Sequence, residues 1–215
     1  MAMELTQALW EFVSSSLKFK PATDNGEYED KAQCFEQSHD CDAVCSILGV
    51  DLDPTLILRA VEGNLRKDVV HFECCDVMNE TELKQVVGSF FGVQELDSET
   101  KFDAVFLFSV TMWIHLNCGD NGLRKLLLLS AKLAKNLIVI EPQLWKCYSA
   151  AKRRCTRAGG DGFPLLPKLT LRSDEAIENE ISKVLCEAGF KKISEYKAPK
   201  WKRKIILYQS CAVTV

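Results

Sequence analysis

At 215 residues, 47% of them hydrophobic and 27% charged, the chain is long enough for one domain with a proper core, and its composition excludes a disordered or fibrous protein. No apolar run approaches the roughly 20 residues of a membrane span, and the start, Met1-Ala-Met-Glu-Leu-Thr-Gln, has neither the basic nor the apolar region of a signal peptide. No membrane partner and a cytoplasmic setting are therefore expected, with the nucleus also open. The net charge of −3 hides an asymmetry: up to residue 144, 12 Lys and Arg stand against 23 Asp and Glu, whereas from Trp145 onward 15 stand against 7. The second part either carries ordinary solvated faces or offers one local positive surface to a polyanion.

Along the chain, Leu5, Ala8, Leu9, Phe12, Val13 and Leu17 recur at helical spacing, which predicts a helix over 4–18. The polar, acidic stretch 19–42, with Pro21 and Asn25-Gly26, reads as a surface loop. Ala43–Val50 is a buried strand ending in Asp51. A helix follows to about Asn64, with Asp53 as its N-cap and Pro54 at its first position. Val69–Cys75 is a second strand ending in Asp76, followed by a helix over Glu80–Phe91 and a third strand over Phe102–Phe108. Asn121–Ala134 reads as a helix, Asn136–Ile140 as a fourth strand, and 149–158 and 174–188 as helices. Phe190–Tyr196 and Lys204–Cys211 close the sequence as two strands. Strand and helix alternate throughout, so the expected fold is α/β, a single domain over 1–215 with a mainly parallel sheet and an antiparallel C-terminal edge pair.

Ten cysteines read as free thiols, because Cys45, Cys74, Cys75, Cys186 and Cys211 lie in apolar contexts and no secretory signal accompanies them. No pair has zinc-ligand spacing, so no metal is expected.

In an open α/β sheet, ligands bind at the carboxyl ends of the strands. Asp51, after the first strand, is placed either to accept hydrogen bonds from the ribose hydroxyls of a nucleoside cofactor or to shape a turn. Asp76 and the Val77 backbone N–H could bracket an adenine edge; helix capping is the alternative. Phe108 closes the third strand beside the same crevice, or belongs to the core. The absence of any G-x-G-x-x-G argues against a dinucleotide enzyme. Two further strand ends run into Ser109–Asp120 and Ile140–Tyr148, both dense in Trp, His, Asn, Lys and Tyr.

Those two runs resemble the bicoid-interacting-protein family of RNA methyltransferases. The resemblance rests on Thr111-Met-Trp-Ile-His-Leu-Asn117 with Gly119-Asp120 and Gly122-Leu123, then Glu141-Pro-Gln143, Trp145-Lys-Cys-Tyr148 and the double Arg at 153–154. It looks nearest to the branch that methylates RNA 5′-monophosphates, and Leu144 departs from the family's usual Pro. The resemblance implies a Rossmann-like methyltransferase fold, S-adenosylmethionine as cofactor, and methyl transfer to the 5′-terminal phosphate of a small RNA of the tRNA or pre-microRNA type. A phosphate oxygen is already anionic, so positioning and desolvation, rather than acid–base chemistry, would carry the reaction. His115, Lys146, Arg153 and Arg154 become candidate phosphate contacts. Trp113, Trp145 and Tyr148 become candidate stacking surfaces, and Asn117 a hydrogen-bonding partner for either. Each has a plainer role open to it, as core aromatic, satisfied histidine or surface charge.

The family's glycine-rich cofactor turn and its strand should precede Glu4-Leu-Thr6, where only Met1-Ala-Met3 stand. The first strand is therefore expected to be missing, and the chain by itself is expected not to complete the reaction. Alternatives are a noncatalytic module that binds RNA ends or protein, and a small-molecule methyltransferase.

Overall fold

A computed structural model describes residues 45–197 and 203–211. The helix expected over 4–18 and the loop expected over 19–42 lie outside the described residues. The chain forms two compact units, Met1–Val77 and Met78–Val215.

The described part of the first unit is a β-α-β element: β1 (Ile47–Asp51), α1 (Pro54–Glu62) and β2 (Val70–Cys74). The two strands run parallel, with Ile47 opposite Val70 and Asp51 opposite Cys74. Asp53 caps α1 by accepting the Thr55 N–H at 2.8 Å, and Pro54 opens the helix, where its missing N–H costs nothing. Beyond α1, the Asn64 side chain donates to the Val70 carbonyl at 2.7 Å, fixing the return into β2.

The second unit contains α2 (Glu80–Phe91), β3 (Phe102–Phe108), α3 (Thr111–Leu133), β4 (Ala134–Glu141), α4 (Trp145–Arg157), α5 (Asp174–Glu187), β5 (Phe190–Lys197) and β6 (Lys204–Ser210). Its four strands lie in the order β3-β4-β6-β5. β3 and β4 are parallel, whereas β6 runs antiparallel to both of its neighbours. The α/β fold and the antiparallel C-terminal pair are as the alternation of elements indicates. Leu116, Leu123, Leu127, Ile138, Ile181 and Ile206 are fully buried and form the centre of the core. Burying each such side chain stabilises by about 1.5–3 kcal/mol. Among the described residues β1 pairs only with β2, and β3 only with β4.

Two helices begin earlier than their periodicity indicates. α3 starts at Thr111 rather than Asn121, and α4 at Trp145 rather than residue 149. Neither has a local side-chain cap; both are capped from a distance. The Gln143 side chain accepts the Met112 N–H, and Asp174 accepts the Trp145 N–H. Gly119, which looks like a helix break, is a kink inside α3. Its φ of 73° and ψ of −173° leave the helix for one residue, a conformation open to glycine and strained for any side chain.

Candidate functional site

β3 and β4 are in register through Phe108 opposite Glu141, so the two dense runs that follow them start side by side. They interlock. Glu141 accepts the Ser109 hydroxyl at 2.7 Å. Two residues on, Gln143 Oε1 accepts both the Thr111 hydroxyl and the Met112 N–H at 3.0 Å. Further along, the Tyr148 hydroxyl lies 2.9 Å from His115 Nδ1. The Glu-Pro-Gln segment thus clamps the entry to α3, and α4 grips α3 one turn later.

His115 is fully buried, and both of its ring nitrogens are engaged, Nε2 lying 2.7 Å from Asp120 Oδ1. Asp120 stands just past the Gly119 kink and also accepts the Thr170 N–H and hydroxyl and the Leu171 N–H. Burial opposes ionisation of this carboxyl, but the bonds from His115, Thr170 and Leu171 outweigh it and lower its pKa to about 2. Burial raises the Tyr148 pKa well above its ordinary 10, so its hydroxyl stays a donor. Asp120, His115 and Tyr148 form a closed chain that locks α3, α4 and the segment before α5. In this arrangement His115 positions its neighbours rather than reaching a phosphate.

A second cluster lies at the carboxyl ends of β3 and β4, where β6 begins. Arg203 donates to Ser109 Oγ at 2.6 Å and to Glu141 Oε1 at 3.3 Å. Glu141 is buried. Ser109 has a φ of 56°, the only positive value outside glycine among the described residues; such strain persists only where surrounding bonds hold it. Sequence reasoning gave no role to Ser109, Glu141, Gln143, Asp120 or Arg203. The available signal was an acid or amide recurring in both runs, at residues that must meet a partner once buried.

The remaining candidates are outward-facing. Trp113 is 41% exposed, with its ring 6.2 Å from that of Phe163. Asn117 is exposed, and its amide donates to the Trp113 carbonyl at 2.8 Å. Trp145 is half-buried and lies tilted against Tyr148, 4.6 Å between centroids and 32° between planes. Lys146, Arg153 and Arg154 are exposed on α4. Phe108 is half-buried, 5.7 Å from the Phe106 ring.

Asp51, Asp76 and Val77 belong to the first unit. Asp51 is exposed at the end of β1, and its Oδ1 accepts the Asp53 N–H at 2.8 Å. Asp76 and Val77 follow β2 and are half-buried. Among the described residues no three His, Cys, Asp or Glu side chains gather to hold a metal, and no helix is long and apolar enough to cross a membrane.

An α/β sheet with polar clusters at its strand ends and a clamp built on Glu-Pro-Gln defines a class. The particular family follows from comparison. The Bicoid-interacting protein 3 (Bin3) family model matches residues 102–210, and the chain belongs to that family. The pre-miRNA 5′-monophosphate methyltransferase of Xenopus laevis is 37% identical over 172 residues, covering 80% of this chain and 66% of that protein. The RNA 5′-monophosphate methyltransferase of Homo sapiens is 34% identical over 185 residues, 84% of this chain and 59% of its own length. The chain spans less than two thirds of the relatives it matches. Among solved structures, magnesium protoporphyrin IX methyltransferase (ChlM) from Synechocystis PCC 6803 with bound SAH covers 77% of this chain and 64% of its own, at 15% identity and a TM-score of 0.47.

Proposed function

We propose that this protein is an S-adenosylmethionine-dependent methyltransferase acting on the 5′-terminal phosphate of a small RNA. The observation that carries the reading is the interlock of Ser109–Asp120 with Glu141–Tyr148 just past the ends of β3 and β4, which fixes the first turn of α3, with Trp113, and that of α4, with Trp145 and Lys146. The Bin3 family match and the relatives named as RNA 5′-monophosphate methyltransferases supply the substrate class.

The donor set of the first unit fits the nucleoside part of such a cofactor. Asp51 Oδ2 is exposed and has no partner among the described residues, so a carboxylate oxygen remains for ribose hydroxyls. Asp76 and the Val77 N–H suit an adenine edge. What S-adenosylmethionine supplies is a methyl group activated by its sulfonium charge. The chain's own residues then have positioning work. Lys146 neutralises and orients the terminal phosphate, with Arg153 and Arg154 further along the same helix. Trp113 and Trp145 hold the first base by stacking. The buried lock of Asp120, His115 and Tyr148 keeps Trp145 in place, and Ser109, Glu141 and Arg203 hold the turn that leads to Trp113. Such preorganisation lowers the barrier by alignment and exclusion of water. We further propose a cytoplasmic setting, consistent with eight described cysteines that are all free thiols.

The test is methyl transfer from labelled S-adenosylmethionine by the protein purified from its native source. A 5′-monophosphorylated RNA should gain the label and its 5′-hydroxyl twin should not. Label on neither RNA, with the protein folded, would sink the proposal. The cations of α4, which have no carboxylate partner among the described residues, favour a second reading, a noncatalytic binder of RNA ends, which predicts RNA binding without any transfer.

A further inference from the structure

We infer that α4 is a track for the RNA backbone downstream of the 5′ end, with Lys146, Arg153 and Arg157 taking successive phosphates. The inference rests on the RNA reading above and extends it from the terminal phosphate to the strand behind it.

On a helix of 3.6 residues per turn, Lys146, Arg153 and Arg157 fall within about 20° of one line. Tyr148, Ala151 and Cys155 occupy the opposite side, and Tyr148 and Ala151 are buried there, so the line faces solvent. All three cations are exposed. No acidic residue occurs between Pro142 and Gly160, and none of the five cations of α4 has a carboxylate partner among the described residues. Elsewhere in the same unit Arg124, Lys125, Lys192, Arg203 and Lys204 each pair with a glutamate.

Helix stability accounts for only part of this pattern. Arg154 and Arg157 lie in the last turn, where the helix dipole favours a cation, whereas Lys146 lies in the first turn, where it is disfavoured. A cation kept at the unfavourable end, in line with two others, calls for an external anion. One phosphate serves them all poorly. Lys146 and Arg157 are about 16 Å apart along the axis, so one group could meet both only with the two side chains stretched flat along the helix toward each other. The ligand that fits them repeats its charge along a line, as a nucleic-acid backbone does. Trp145 sets the direction: the terminal base stacks at the amino end of α4, and the strand runs toward Arg157. A 5′-mononucleotide should accordingly be a poor ligand compared with an oligonucleotide.

The experiment measures binding of a fluorescent oligoribonucleotide, in 5′-phosphate and 5′-hydroxyl forms, over a range of salt. The Arg153→Gln/Arg157→Gln double variant should bind both forms more weakly and lower the slope of log K against log salt by about 1.4, since each single-strand phosphate contact contributes about 0.7. Lys183→Gln, an exposed lysine on α5, should leave the slope unchanged. An unaltered slope in the folded double variant overturns the track. So does equal sensitivity of the parent's binding to anionic phospholipid vesicles, which would make the surface a membrane contact. If the slope falls but no methyl is transferred, the track stands and the methyltransferase reading fails; if transfer occurs with the slope unchanged, the reverse holds.

Discussion

The Tyr148 hydroxyl and His115 Nδ1 meet at 2.9 Å inside the protein, while Asp120 holds the opposite ring nitrogen at 2.7 Å. A carboxylate can only accept, so Nε2 carries the proton, and in that tautomer Nδ1 accepts from Tyr148. Tyr148→Phe removes the donor and leaves a buried nitrogen unsatisfied, which costs about 1–3 kcal/mol. Thermal unfolding should show a lower Tm with the fold retained. An unchanged Tm would show that this bond contributes nothing.

Asp120 gives the lock an acid limit. Its carboxyl is held at about 2 in the folded protein against an ordinary 3.8. A depressed carboxyl adds stability that is fully present above the unfolded value and lost as pH falls through the folded one. The loss should run from about pH 4 to about pH 2 and amount to about 2 kcal/mol. Denaturant unfolding across that range should show Asp120→Asn less stable at neutral pH and less sensitive to acid. Equal acid sensitivity in variant and parent would refute the assignment.

Gln143 caps a helix from outside it. Gln143→Leu deprives the Met112 N–H and the buried Thr111 hydroxyl of their shared acceptor. Loss of a cap costs about 1 kcal/mol, and an orphaned buried hydroxyl adds about as much again. Hydrogen exchange should quicken first at the amino end of α3, ahead of global unfolding.

Arg203 and Glu141 form a pair that one-sided mutation should punish. Glu141 is buried and Arg203 partly so. Arg203→Met therefore removes a cation from beside a buried carboxylate, a loss of about 3 kcal/mol, whereas removing both charges is far milder. Glu141→Gln/Arg203→Met should recover at least half of the single variant's loss. Additive losses in the double-mutant cycle would rule out coupling.

Trp113 separates function from stability. It is partly exposed and lies outside the buried core, so Trp113→Ala should change stability by less than about 1 kcal/mol. If it stacks a base, RNA binding should weaken by about 1–3 kcal/mol. Equal RNA affinity in variant and parent removes it from the site.

How much was legible in the sequence depended on the distance over which each signal acts. The start of α1 was readable because its cap, Asp53, and Pro54 stand next to it. The starts of α3 and α4 were not, because Gln143 and Asp174 act from 31 and 29 positions away. The two dense runs were visible as composition, yet their contact was not, since register between β3 and β4 decides it. His115 shows the same gap: its residue type suggested a phosphate contact, but burial and two partners are facts of packing. The exposure of Lys146, Arg153 and Arg154 was easier to read, since α4 contains no acid that could pair with them.

β6 lies between β4 and β5 although it follows both in the chain. During synthesis, the flank of β4 that carries Ile138, Val139 and Ile140 therefore waits for a strand that has not yet been made. The unit can close only when β6 slides into that gap, and the same movement brings Arg203 to Ser109 and Glu141. A nascent chain that stops short of Lys204 therefore lacks, among the described residues, the strand that pairs with Ile138, Val139 and Ile140, and the Arg203 contact with Ser109 and Glu141 comes only with it.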